Sequence, residues 1–138
     1  MVEGDRKIIL EMMRVFYASN AVATNGSEEI FKADIDACVG GSPYLEGYVF
    51  LNGECTVGYG MIAKSFSTEY GKPCIWIEDI YLLPEYRRCG IGSAFFEHIE
   101  RLYPGSIFRL EVEAENENAI EAYKKNGFDF MPYLEMKK

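Results

Sequence analysis

Residues 74–95, CIWIEDIYLLPEYRRCGIGSAF, join a nearly continuous apolar run to a proline, two arginines, a pair of glycines and the start of an amphipathic segment. The run from Cys74 to Leu83 is dominated by isoleucine, leucine and aromatic residues, the composition of a strand buried on both faces. Beyond Pro84 the loop RRCGIGS leads into a helix reaching about Tyr103, with Ile91, Phe95, Ile99 and Leu102 in register. A helix entered through glycines leaves its first N–H groups and its positive dipole end free, so an anion such as a pyrophosphate can sit there. Arg87 and Arg88 would add charge-assisted hydrogen bonds to such a group. Three glycine-loop readings compete. The Walker loop needs GK[ST], which is missing, and the dinucleotide fingerprint needs a third glycine where this chain has Phe95. The remaining pattern, [QR]xxGx[GA], is met by Arg87, Gly90 and Gly92, but an ordinary glycine turn ahead of a helix would meet it too.

Working outward, 5–20 and 27–39 each carry a helical apolar stripe: Ile8, Ile9, Met12, Met13 and Phe16 in the first, Phe31, Ile35 and Cys38 in the second, with Ser27 as its N-cap. From Tyr44 to Phe66 the period shortens to that of strands around Asn52-Gly53, the dipeptide suited to a type I′ hairpin turn. Downstream, SIFRLEVE (106–113) reads as a strand and NENAIEAYKKNG (116–127) as a helix closed by Asn126-Gly127. FMPYLEMKK (130–138) reads as a last strand.

At 138 residues, with 49% apolar and 26% charged residues, the composition is that of one globular domain spanning residues 1–138. A net charge of −8 argues against general nucleic-acid binding and favours cationic small molecules as partners. No apolar stretch is long enough for a bilayer, and the first 16 residues interrupt their hydrophobics with charge, unlike a signal peptide. A cytoplasmic protein is expected. The 4 cysteines lie far apart without a CxxC pair and there is 1 histidine, so reduced thiols and no metal are expected.

IEDIYLLPEYRRCGIGSA followed by NENAIEAYKKNGF resembles the GNAT superfamily of acetyl-CoA-dependent N-acetyltransferases, and Glu78-Asp79 resembles its spermidine/spermine acetyltransferase branch. The resemblance runs from the first helix to the end of the chain. It implies an α/β acyl-CoA N-acyltransferase fold, a mixed, mostly antiparallel sheet flanked by helices, with the usual first strand missing. It implies acetyl-CoA as cosubstrate, its pyrophosphate on the backbone of Arg88, Cys89, Gly90, Ile91, Gly92 and Ser93, and its pantetheine paired with the backbone of Ile80, Tyr81 and Leu82. Asn116, Ala119 and Tyr123 match the family's NxxAxxxYxxxGF pattern, which places Asn116 and Ala119 beside the coenzyme. Arg88 stands where the family usually has glycine. The missing strand leaves a sheet edge open to a second copy, so a homodimer is worth testing.

An alkyl ammonium with pKa near 10.4 is free amine in roughly one molecule of two thousand at neutral pH, so transfer needs a proton acceptor beside it. Glu78 is the candidate, both from its apolar strand setting and because the resemblance puts the family's base there; the competing reading is a structural buried carboxylate. Strand alternation should turn Asp79 to the other face, and its candidate role is at the substrate. Tyr123 is the candidate acid for the departing thiolate, against a rival reading as a core residue beside Ala119 and Ile120. Ser19, Asn20 and Thr24 fall where such folds shape the acceptor site, whereas His98 and Trp76 read as bland, Trp76 as core. The resulting expectation is an N-acetyltransferase acting on a small primary amine by direct attack. A coenzyme-binding sensor without catalysis and a protein lysine or N-terminal acetyltransferase are the alternatives.

Overall fold

A computed structural model describes residues 1–22 and 26–138. Helix α1 (Arg6–Tyr17) and helix α2 (Glu28–Val39) come first. Strands β1 (Leu45–Asn52), β2 (Cys55–Ser67) and β3 (Lys72–Leu82) follow, then α3 (Ile91–Leu102), β4 (Ile107–Leu110) and α4 (Glu117–Lys125). The sheet order is β1-β2-β3-β4, with the first two pairings antiparallel and β3–β4 parallel. This is the mixed, mostly antiparallel sheet expected, and among the described residues no strand precedes α1.

The sheet is covered on both faces because its strands are apolar on both. On one face Ile9, Met12 and Met13 of α1 and Phe31 and Ile35 of α2 bury against Tyr59, Met61 and Tyr81. On the other, Phe95, Phe96 and Ile99 of α3 bury against Phe50, Val57, Ile62, Ile75 and Ile77. The expected cap at Ser27 is present, its hydroxyl accepting from the Ile30 N–H at 3.3 Å, and the structure adds a second, the Asn116 side chain accepting from the Ala119 N–H at 3.3 Å. All 4 cysteines are unpaired.

Three local expectations need correction. The hairpin turn is centred on Gly53 and Glu54, since Asn52 already pairs with Cys55; only Gly53 has positive φ (63°), the signature of type II′ rather than I′. Residues 128–138 form no strand. A strand needs a partner for its backbone, and Pro132 removes a donor from the middle of this segment. The segment is held by side chains instead: Tyr133 donates to Glu69 at 2.9 Å and Lys124 lies over the Phe130 ring at 4.9 Å.

The third correction bears on chemistry. Along β2 and β3, Met61 pairs with Asp79 but the next residue, Ile62, pairs with Ile77, so Glu78 is an extra residue, a β-bulge. Strict alternation would put Ile77 and Asp79 on one face; instead Ile77 joins the α3-side cluster, while Asp79 bonds Tyr17 of α1 and Tyr59 of β2 on the other side. The bulge removes the strict alternation on which the expected opposition of Glu78 and Asp79 rests; desolvation first, and then the negative charge of Asp34 on α2, push both carboxyls up.

Candidate active site

β3 and β4 run parallel from Cys74–Ile107 to Ile77–Leu110 and then part, leaving the last five residues of β3, Glu78 to Leu82, without β4 beside them. The carboxyl end of a parallel pair that diverges is a natural ligand crevice. The loop after β3 crosses a short 3-10 turn, Pro84–Tyr86, and delivers the N-terminus of α3 to this end of the strand. Arg87 ties the two together: its Nε donates to the Leu82 carbonyl at 3.0 Å, and its guanidinium lies over the Tyr81 ring at 5.9 Å.

Gly90 caps α3 with φ +82°, a left-handed conformation, and no side chain caps the helix. The first backbone bond of the helix is Ala94 N–H to Gly90 C=O, so the N–H groups of Ile91, Gly92 and Ser93 have no acceptor within the helix. A Cβ added at Gly90 or Gly92 would meet nothing within 4 Å. Arg88, Cys89 and Gly90 are exposed. The helix start is thus an open cradle of donors, and the residues present fit a diphosphate. Arg88 itself sits at φ 61°, the left-handed region in which glycine is at ease.

Beside the divergence is a cavity of about 260 Å³ lined by Trp76, Ile77, Glu78, Glu111 and Glu135. Glu78 as a residue is exposed, yet its carboxyl is crowded enough that desolvation, then the charges of Asp34 and Glu135, push its pKa up. Glu111 shares a hydrogen bond with Glu135, which together with desolvation and that residue's charge raises it to about 7. Trp76, expected in the core, instead lines this cavity, half-buried, with the Arg109 guanidinium 5.7 Å from its ring centroid.

Behind Glu78 lies Asp79, 5% exposed, whose two oxygens accept from the hydroxyls of Tyr17 at 3.0 Å and Tyr59 at 3.1 Å. Burial raises its pKa to about 6 despite these two donors, which lower it, with Asp34 and Glu78 adding repulsion. Asp79 therefore sits beneath the cavity wall rather than on it. Tyr123 is on the other side of the sheet, its ring packed edge-on against Phe96 and Phe128 at 6.0 and 6.1 Å. Its hydroxyl has no hydrogen-bond partner among the described residues, and burial pushes its pKa up, so it holds its proton at neutral pH.

Of the other candidates, Asn116 and Ala119 are joined as the N-cap of α4. Ser19 caps the end of α1, donating to Phe16 C=O at 2.6 Å, and Asn20 is exposed; no described contact joins either to Glu78. Thr24 lies outside the described residues. Glu111, Glu135, Asp34, Tyr17 and Tyr59 were not singled out from the sequence. Glu111 and Asp34 belong to apolar-patterned elements whose polar positions read as solvated faces, and only the tertiary fold brings them to one place.

Comparison with known proteins agrees with this geometry. Residues 11–128 match the Acetyltransferase (GNAT) family. Thialysine N-epsilon-acetyltransferase of Sus scrofa is 36% identical over 138 residues, covering 91% of this chain and 79% of that protein. Among solved structures, a possible acetyltransferase from Clostridium difficile 630 superposes with TM-score 0.81 at 20% identity, covering 98% of this chain and 91% of its own. An aminoglycoside N-acetyltransferase in complex with CoA gives TM-score 0.81 at 12% identity, covering 100% and 90%, a likeness of fold alone. With an open donor cradle at the mouth of two parting parallel strands and a family match over most of its length, the chain belongs to the GNAT family and is an acetyl-CoA-dependent N-acetyltransferase.

Proposed function

We propose that the protein transfers the acetyl group of acetyl-CoA to the primary amine of a small cationic acceptor by direct attack, with Glu78 as base and Tyr123 as acid. The observation that carries this reading is the bulge at Glu78, which turns a carboxyl with a raised pKa into a cavity it shares with Glu111 and Glu135. That cavity attracts an ammonium and opens beside the parted strands. The relatives named for an N-epsilon acetyl transfer support an amine nitrogen as acceptor.

The coenzyme, when bound, supplies a thioester-activated acetyl group. The N–H groups from Arg88 to Ser93 hold its diphosphate, and the free Nη atoms of Arg87 add charge, its Nε being engaged with Leu82. The backbone of Ile80 and Tyr81 offers strand-like pairing to the pantetheine; the Leu82 carbonyl already accepts from Arg87, so Leu82 contributes less. Glu78 accepts the ammonium proton, and a raised pKa brings it nearer the operating pH, where a general base works best. Tyr123 donates its phenolic proton to the departing sulfur from the α3 side, and a hydroxyl with no hydrogen-bond partner among the described residues is open to that task. Ser19 and Asn20 would border the acceptor at the end of α1.

The test is steady-state turnover of acetyl-CoA against a panel of amines. Diamines and amino-acid amines should be acetylated, and Glu78→Gln should lower kcat about 10²- to 10⁴-fold with little change in KM for acetyl-CoA. Coenzyme binding without turnover on any amine, or full activity of the Gln variant, would contradict the reading.

A further inference from the structure

Asp79 is a carboxylate that the fold buries at a cost. It is 5% exposed, faces Asp34 from α2 and Glu78 from its own strand, and among the described residues is answered only by the phenols of Tyr17 and Tyr59. A purely structural role at this position could be filled by an apolar residue of similar size, often with gain in stability, because burying a charge is expensive. Its location is also specific. Asp79 is the residue at which β3 resumes its pairing with β2 after the extra residue Glu78, through Met61. One phenol comes from α1 and the other from the strand next door, so the carboxylate joins helix, sheet and bulge at one point.

We propose that Tyr17, Asp79 and Tyr59 form a pin that fixes the bulge of β3 and thereby holds the Glu78 carboxyl at the acceptor cavity. These three are positioning residues: none needs to touch the acceptor, and each acts through Glu78. The inference rests on the reading of Glu78 as base. The two phenols stabilise the charged form of Asp79, which would otherwise take up a proton more readily in this buried place. Glu78 is pushed up by desolvation and by the charges of Asp34 and Glu135, so Asp79 acts on it through the backbone that the pin holds. The groups facing the pair are Asp34 and Cys38 from α2, Tyr17 from α1, Tyr59 from β2, and Glu135 and Glu111 on the cavity side. Cys38 is itself pushed up to about 11, mainly by burial and then by Asp34, and stays a neutral thiol.

The experiment measures the protonation of Glu78 directly, by carbon-detected NMR titration of the full chain without coenzyme, the signal being assigned by its loss in Glu78→Gln. Tyr17→Phe, Tyr59→Phe and Asp79→Asn are compared with the wild type, together with kcat and KM. The expected result is a downward move of the Glu78 midpoint by about half a pH unit or more in Asp79→Asn, because a carboxyl released from the bulge loses the desolvation and the neighbouring charges that raise it. The phenylalanine variants should follow in the same direction, with kcat falling several-fold and KM for acetyl-CoA within about twofold. Asp79→Glu, which keeps a carboxylate acceptor for the two phenols, should recover part of the midpoint. An unmoved Glu78 midpoint with unchanged kcat in well-folded Tyr17→Phe and Asp79→Asn overturns the proposal. Should Glu78→Gln keep full turnover, the base assignment fails, while the titration still decides whether the pin acts on Glu78. Tyr17 is on a half-exposed helix surface, so its variant folds even if the more buried Tyr59→Phe does not.

Discussion

Arg88 holds a backbone conformation that suits glycine, at φ 61°. A left-handed residue with a Cβ carries about 1 kcal/mol or more of strain. Arg88→Gly should therefore raise the free energy of unfolding in urea by about 1 kcal/mol, offset in part by the greater entropy of an unfolded glycine. If the cradle works through backbone N–H groups, coenzyme affinity in this variant should fall only by the share of the lost arginine charge. Asp79 makes a second prediction at this scale. Its pKa in the folded protein, about 6, lies above the ordinary value of 3.8, so the native state binds a proton that the unfolded chain releases. Stability from this group is thus full below about pH 4 and lost as pH rises through about 6, roughly 3 kcal/mol in all. The wild type should gain by up to that amount relative to Asp79→Asn as pH is lowered from 7 to 4, measured by urea unfolding of both proteins at each pH. A difference that does not change with pH would remove the buried carboxylate from the account.

Among the elements, the start of α3 separates stability from function. Gly92 is helical and has open space where a Cβ would go, so alanine there fits the fold and improves helix propensity by at most about 1 kcal/mol. The same methyl group would stand in the cradle. Gly92→Ala should be as stable as the wild type or more so, yet bind acetyl-CoA at least about tenfold more weakly by calorimetry. What could be read in the sequence at this scale was whatever is decided locally. The N-cap at Ser27, the amphipathic stripes of α1 and α3, and the glycine-led entry to α3 follow from neighbours within one turn. The bulge at Glu78 does not: residues 74–83 read as an even strand, and its register is set by pairing with β2, which lies more than ten residues earlier. The type of the hairpin turn was missed by one position for the same reason, since pairing of Asn52 with Cys55 decides which residues are central. The segment after Gly127 has strand-like composition but no partner along its backbone, and composition alone cannot supply one.

For the molecule as a whole, two layers of helix on a splayed sheet divide the labour. Tyr123 packs on the α3 face and the start of α3 is the open donor cradle, while Glu78 and the acidic cavity lie where β3 and β4 part, so on the proposed reading donor and acceptor would meet in that gap. The net charge of −8 is not spread evenly: Arg87 and Arg88 flank the cradle while Glu78, Glu111 and Glu135 line the cavity. Family and coenzyme were legible because their motifs are contiguous. The acidic cavity was not, because it gathers residues from β3, the end of β4 and the last residues of the chain. The most direct measurement is a calorimetric titration of the wild-type protein with CoA and, in parallel, with pantetheine, which lacks the diphosphate. CoA should bind at one site per chain with favourable heat, and pantetheine at least about a hundredfold more weakly, since the charge-assisted bonds at the cradle, each contributing about 1.5–3 kcal/mol, are lost. No heat with CoA, or equal affinity for the two, would contradict the claim that the open start of α3 holds the coenzyme.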